Sequence, residues 1–228
     1  MERRFEKELE GLKTSLIKMG SVVEENITLA VKALLEDDDA LAKQVIAADE
    51  RVNSLEIEID NGVIDILALQ QPVASDLRLI IAVQKISNDL ERIGDHAVNI
   101  AESVLSLHET PKQEPLYEIP PMCNIAREML RNALDGFILL DPQLARTVLQ
   151  QDDKIDELNR TMTQVVIEEV KSGKQSLETG MQLIRISRNL ERVGDLATNI
   201  AEDVIFHTQA RVVKHHAENG RPLGAQPN

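Results

Sequence analysis

Residues 86–102 read Ile86-Ser-Asn-Asp-Leu-Glu-Arg-Ile-Gly-Asp-His-Ala-Val-Asn-Ile-Ala-Glu102, and residues 186–202 read Ile186-Ser-Arg-Asn-Leu-Glu-Arg-Val-Gly-Asp-Leu-Ala-Thr-Asn-Ile-Ala-Glu202. Twelve of the seventeen positions are identical, at an offset of 100. In the first copy the apolar residues Ile86, Leu90, Ile93, Ala97, Ile100 and Val104 alternate four and three apart. That spacing is the buried seam of a helix packed nearly in line with its neighbours. Ile186, Leu190, Val193, Ala197, Ile200 and Val204 repeat it. A repeat longer than one helix implies a repeated supersecondary unit.

Working outward, the preceding stretches also match, at an offset of 103: Asp49, Val52 and Leu55 correspond to Asp152, Ile155 and Leu158. The offset changes at the turn before the repeated helix, where small insertions are tolerated. Prolines occur only at 72, 111, 115, 120, 121, 142, 222 and 227 and mark breaks. Asp37-Asp38-Asp39 and Asp141-Pro142 are helix-start signals, the second an N-cap acid followed by a first-turn proline. Gln71-Pro72 and Ser172-Gly173-Lys174 are turn signals. The expected helices are 2–35, 39–69, 74–108, 121–138, 142–171 and 176–210. The expected fold is all-α, a tandem repeat of two antiparallel three-helix bundles: 1–108, a linker 109–120, 121–210, and a frayed tail 211–228.

On the repeated helix, about 100° per residue places Glu91, Asp95, Asn99 and Glu102 opposite the seam. Glu191, Asp195, Asn199 and Glu202 lie on the matching face. With a hairpin turn near Pro72, Asp49 falls across from Asp95. With the second turn near Lys174, Asp195 falls across from Asp153, beside Asp152, and the repeat alignment favours Asp152. Asn53 and Asp156 lie one turn further along the same flank. Clustered carboxylates repel and are costly without a cation. Oxygen-only ligands suit hard cations such as Mg²⁺, Ca²⁺, Mn²⁺ or iron. His96 occurs in only one repeat, so imidazole is not a shared ligand.

A competing reading makes this face a solvated surface, the usual fate of acids opposite a seam. Two observations weigh against it: Lys partners four residues on are missing, and the oxygen set recurs in both repeats. Arg92 and Arg192 read most simply as surface salt-bridge partners, and Gly94 and Gly194 as points of close helix approach.

The chain carries 39 acidic and 25 basic side chains among 228 residues, a net charge of −14. That charge argues against nucleic acid or anionic lipid as general partners. The aromatic residues are Phe5, Tyr117, Phe137 and Phe206, too few for base-stacking platforms. Cys123 is the sole cysteine, which excludes an internal disulfide and a multi-cysteine zinc site. With no long apolar run and no signal-peptide core near Met1, the expectation is a cytoplasmic protein that meets membranes only through partners. There is no phosphate-binding Gly loop, no Glu-x-x-His pair and no identifiable triad, so an enzyme has little support.

The doubled Leu-Glu-Arg-Ile/Val-Gly-Asp, Ser75-Asp-Leu-Arg78, Asp49-Glu-Arg-Val-Asn-Ser-Leu-Glu56 and Asp152-Asp-Lys-Ile-Asp-Glu-Leu-Asn159 resemble the PhoU family over roughly residues 5–208. The resemblance implies two similar three-helix bundles carrying multinuclear metal clusters on Glu/Asp-x-x-x-Asp motifs. Iron, zinc, manganese or magnesium are the candidate ions. By motif, Glu91, Asp95, Glu191 and Asp195 carry over as ligands, with Asp49 and Asp152 beside them. The resemblance also implies repression of a phosphate-starvation regulon and restraint of phosphate uptake. The implied partners are the ATPase subunit of a phosphate ABC transporter, a sensor histidine kinase and a second copy in a homodimer. Asn159 and Thr163 stand where the first repeat has Glu56 and Asp60, so the two halves are not expected to hold equal metal. The alternative from another class is an oxygen-ligand metal-storage protein or metalloenzyme on a helical bundle.

Overall fold

A computed structural model of the chain describes residues 2–108 and 118–209. The expected tail 211–228 and most of the expected linker lie outside these residues. Six helices are present: α1 (Glu2–Glu36), α2 (Asp39–Gln70), α3 (Ala74–His108), α4 (Ile119–Leu139), α5 (Pro142–Lys171) and α6 (Leu177–Gln209). α4 starts inside the expected linker because Pro120 and Pro121 fit its first turn, where a missing N–H costs nothing.

The starts and turns follow from the capping residues. Asp38 Oδ1 accepts from the amides of Ala40 at 2.8 Å and Leu41 at 3.1 Å, and Asp141 Oδ1 accepts from Gln143 N at 2.8 Å. Each such cap contributes about 1 kcal/mol. The duplication extends to turn geometry. Asp37 and Leu140 are both left-handed, at φ 61° and 54°. After each, the next amide donates back into the helix, Asp38 N to Ala33 O and Asp141 N to Gly136 O.

Each seam is buried: Ile86, Leu90, Ile93, Ala97, Ile100 and Val104 are 0% exposed, and so are their six counterparts. α1, α2 and α3 pack on one another, and α4, α5 and α6 do the same. The halves join through α3 against α6 and α1 against α4. The same internal contact appears in both: Ser87 Oγ meets Met19 Sδ at 3.6 Å, and Ser187 Oγ meets Met122 Sδ at 3.4 Å.

The junction is pseudosymmetric. Lys85 Nζ reaches Asp203 Oδ1 at 2.6 Å. Its counterpart Arg185 reaches back to Asn99 Oδ1 at 2.8 Å and Glu102 Oε2 at 3.1 Å. Lys85 and Arg185 thus each reach the matching stretch of the opposite helix, as a two-fold relation requires, here between repeats of one chain, and this makes α3 and α6 antiparallel. On the other pair, Glu24 Oε1 accepts from Arg127 at 3.3 Å and Arg131 at 2.5 Å. At the offset of 103, Arg127 is the counterpart of Glu24, so these two sit on the axis. No helix among the described residues is long and apolar enough to cross a membrane.

Candidate functional site

The α2–α3 and α5–α6 hairpins each bring an acidic set together, beside a glycine that lets the helices close. A Cβ at Gly94 would lie 3.2 Å from Val52 Cγ1 and 3.5 Å from Asp49 Oδ1. At Gly194 it would lie 3.0 Å from Ile155 Cγ2. Both glycines are therefore close-approach points, as their mid-helix position suggested.

In the first half, Asp49 sits beside Asp95, as the hairpin register predicts. Burial, then the Asp49 charge, raise the Asp95 carboxyl. Burial, then Asp95, Glu56 and Asp49, raise Glu91. Burial, then Asp60 and Asp95, raise Glu56. These groups therefore form one repelling set. Asn53 Nδ2 donates to Asp49 Oδ2 at 3.0 Å, but Asp49 Oδ1 is buried with no hydrogen-bond partner among the described residues. A buried carboxylate oxygen facing other carboxylates, with no donor, is the kind of atom a cation satisfies.

In the second half, Asp152, Asp156 and Asp195 each offer an oxygen within 4.8 Å of the others. Asp153 is exposed and Asp152 is in the cluster, as the repeat alignment favoured over hairpin counting. Burial and then Asp195 raise the Glu191 carboxyl, with Asp156 adding. Arg192 lies 2.8 Å from Asp195 Oδ2 and 3.6 Å from Glu191 Oε2, so here the surface-salt-bridge reading holds. Arg92 turns instead to Asp89, at 3.6 Å. The halves differ where their sequences differ. Glu56 belongs to the first cluster, whereas Asn159 accepts a hydrogen bond from Ser187 at 2.7 Å.

Asn99 and Asn199 are placed differently. Asn99 Oδ1 is taken by the Arg185 guanidinium across the junction. Asn199 bonds Asp89 while also lining a groove of about 500 Å³ with Asp152, Asp195, Arg92, Arg192 and His96. Helical phase put both asparagines opposite the seam, but on each repeated helix that arc also faces the other, α3 against α6, which sequence alone did not reveal.

The same contact holds a residue sequence reasoning passed over. Burial, then the Asp203 carboxylate, push Asp89 up to about 6, against the pull of Arg92, Asn199 and Lys85. Its counterpart is Asn189, which His96 Nδ1 meets at 2.8 Å. The non-identity of this pair in otherwise matching repeats was the available signal. A carboxyl raised on folding makes the folded state bind more protons, so stability falls as pH rises from the unfolded value near 4 to about 6. Asp89→Asn, which installs the other repeat's residue, is expected to stabilise metal-free protein at pH 7 by about 1–2 kcal/mol after allowance for solvent screening. The gain should shrink below pH 6 and vanish near pH 4 in calorimetric melts; a gain independent of pH contradicts the assignment.

The fold and these faces define a class: a duplicated, all-helical two-bundle protein with a carboxylate cluster on each bundle's hairpin. The PhoU domain model matches residues 16–104 and again 119–204, and the chain belongs to the PhoU family. It is 39% identical over 216 residues to the phosphate-specific transport system accessory protein PhoU homolog of Pseudomonas putida, covering 94% of this chain and 84% of that protein. To the homolog of the same description from Aquifex aeolicus it is 38% identical over 209 residues, covering 92% and 95%. The crystal structure of PhoU from Pseudomonas aeruginosa superposes with a TM-score of 0.87 at 37% identity, covering 91% of this chain and all of that one. The phosphate transport system regulatory protein PhoU from Streptococcus pneumoniae gives 0.86 at 31%, covering 92% of this chain. The family is one of accessory proteins, not enzymes.

Proposed function

We propose that this chain is a non-enzymatic regulatory accessory of a phosphate transport system, built as an adaptor whose docking faces are held by metal ions. The relatives' names support the transport role. The metal reading rests chiefly on one observation, Asp152, Asp156 and Asp195 converging within 4.8 Å. Asp49, Glu56, Glu91 and Asp95 would hold ions in the first half; Asp152, Asp156, Glu191 and Asp195 would do so in the second. The donor chemistry fits iron, manganese or magnesium most directly, and zinc through carboxylate oxygens. A bound ion would neutralise the repulsion and tie each hairpin's two helices together. Asn99 is left out because a guanidinium holds its oxygen.

The adaptor would meet a sensor histidine kinase and the ATPase subunit of the phosphate ABC transporter, in the cytoplasm, alone or as a homodimer, and repress the phosphate-starvation regulon when phosphate is plentiful. Deleting the gene in its own host should leave alkaline phosphatase expression high in phosphate-rich medium. Normal repression in the deletion strain removes the regulatory reading. Metal-dependent turnover, or loading far above the carboxylate sites, would favour the metalloenzyme or storage alternative.

A further inference from the structure

α1, α3, α6 and α4 form a four-helix layer in which, among the described residues, each helix touches two neighbours and the diagonal pairs do not touch. At one end of that layer sits Ser75-Asp-Leu-Arg78, a motif that the carboxylate clusters do not use. The antiparallel register of α3 on α6, set by Lys85 with Asp203 and His96 with Asn189, places Arg78 across from His207. The parallel register of α1 on α3, set by Met19 with Ser87, brings Lys13 within about one turn of Arg78. The Phe137 ring of α4 lies 6.1 Å from the His207 ring.

Two nitrogens at this mouth are buried without a hydrogen-bond partner among the described residues, Arg78 Nε and His207 Nδ1. Buried nitrogens left unpaired are costly and call for a partner. Arg78 forms no ion pair among the described residues. Among the described residues Lys13 forms an ion pair with the exposed Glu10 alone, at 3.8 Å, and Asp203, one turn before His207, is held by Lys85. Burial, then the charges of Arg78 and Lys13, lower the His207 pKa, as expected where positive groups lie near the imidazole. Duplication does not explain the grouping, because Arg78 and His207 correspond to Glu178 and Leu107 in the other repeat. In a chain of net charge −14, this is a local concentration of donors and positive charge.

We propose that the mouth framed by Lys13, Arg78 and His207 binds a small tetrahedral oxyanion of the inorganic-phosphate type. The guanidinium offers paired donors, the ammonium a point charge and the imidazole one further donor, a set matched to a compact dianion. The site is separate from the carboxylate clusters and does not depend on metal.

Chelator-treated protein titrated with inorganic phosphate in a calorimeter tests it. One saturable site per chain is expected. Arg78→Gln and His207→Gln should each weaken binding about tenfold or more, while Arg78→Lys retains part of the affinity. Sulfate should compete, and chloride at matched ionic strength should not. Asp95→Asn with Asp195→Asn should bind phosphate unchanged, since loss there would place the anion on residual metal and overturn the site. Melting curves without phosphate establish that each variant is folded. No saturable heat up to about 10 mM phosphate, equal affinity in the Arg78 and His207 variants, or equal competition by chloride overturns the proposal.

Discussion

Adding Mn²⁺ or Zn²⁺ to chelator-treated protein raises its melting temperature by about 5–10 °C for each cluster filled to a hundredfold over Kd. The figure follows from mass action, which stabilises by about 2.7 kcal/mol at that excess, and from the few degrees that each kcal/mol shifts a domain of this size. Asp49→Asn with Asp95→Asn should abolish the first increment, and Asp152→Asn with Asp195→Asn the second. The same substitutions should stabilise the metal-free protein, because each relieves repulsion that already raises Glu91 and Glu191. This opposite sign, with and without metal, separates a binding site from a solvated face, for which both effects are near zero. Metal affinity should also fall on acidification, since protons compete for carboxylates whose pKa values burial and neighbours have raised. Elemental analysis of untagged protein identifies the ion. Protein with no metal, and no thermal response to added cations, sinks the metal reading without touching the phosphate site at the helix mouth.

Gly94→Leu should do damage in two measurable ways. The new side chain begins 3.2 Å from Val52 Cγ1 and must push α2 off α3. Overpacking of this kind costs roughly 1–3 kcal/mol, partly offset by the ~0.8 kcal/mol that leaving glycine returns to a helix. Because α2 carries Asp49, the displacement also opens the first cluster. Metal affinity should drop there, while the second cluster, around Asp195, titrates normally. Gly11→Ala is the contrasting control: nothing lies within 4 Å of its would-be Cβ, so it should stabilise by a fraction of a kcal/mol to about 1. Uniform metal affinity at both clusters in Gly94→Leu means that the close approach does not position Asp49.

The fold was legible because duplication and helical periodicity speak twice. The seam from Ile86 to Val104 and its copy name the buried stripe, and every residue of both is fully buried. Hairpin register then placed Asp49 against Asp95, a local inference across one tight turn. It faltered by one residue at Asp153, where the second turn, 172–176, is longer than the first, 71–73, and shifts the count, and only the repeat alignment pointed to Asp152. Asp156 was visible on the same flank, yet its part in the cluster needed the actual helix spacing. What stayed hidden was everything between the halves. Asp89, Asn99, Asn199 and His207 act through partners in the other half of the chain, as do the pairs Lys85–Asp203 and His96–Asn189. Such contacts leave no periodic trace. Their one sequence signal is the reverse of repetition: Asp89 against Asn189, His96 against Leu196, Arg78 against Glu178.

The pair on the pseudo-two-fold axis carries this asymmetry to its end. An on-axis residue meets its own counterpart, and here the counterparts are Glu24 and Arg127. Two copies of the first half placed together would set Glu24 against Glu24, and two copies of the second would set Arg127 against Arg127. Only the mixed pairing joins opposite signs. A chain that began as two like units has thereby become a lock and its key, each half recognising the other in preference to itself.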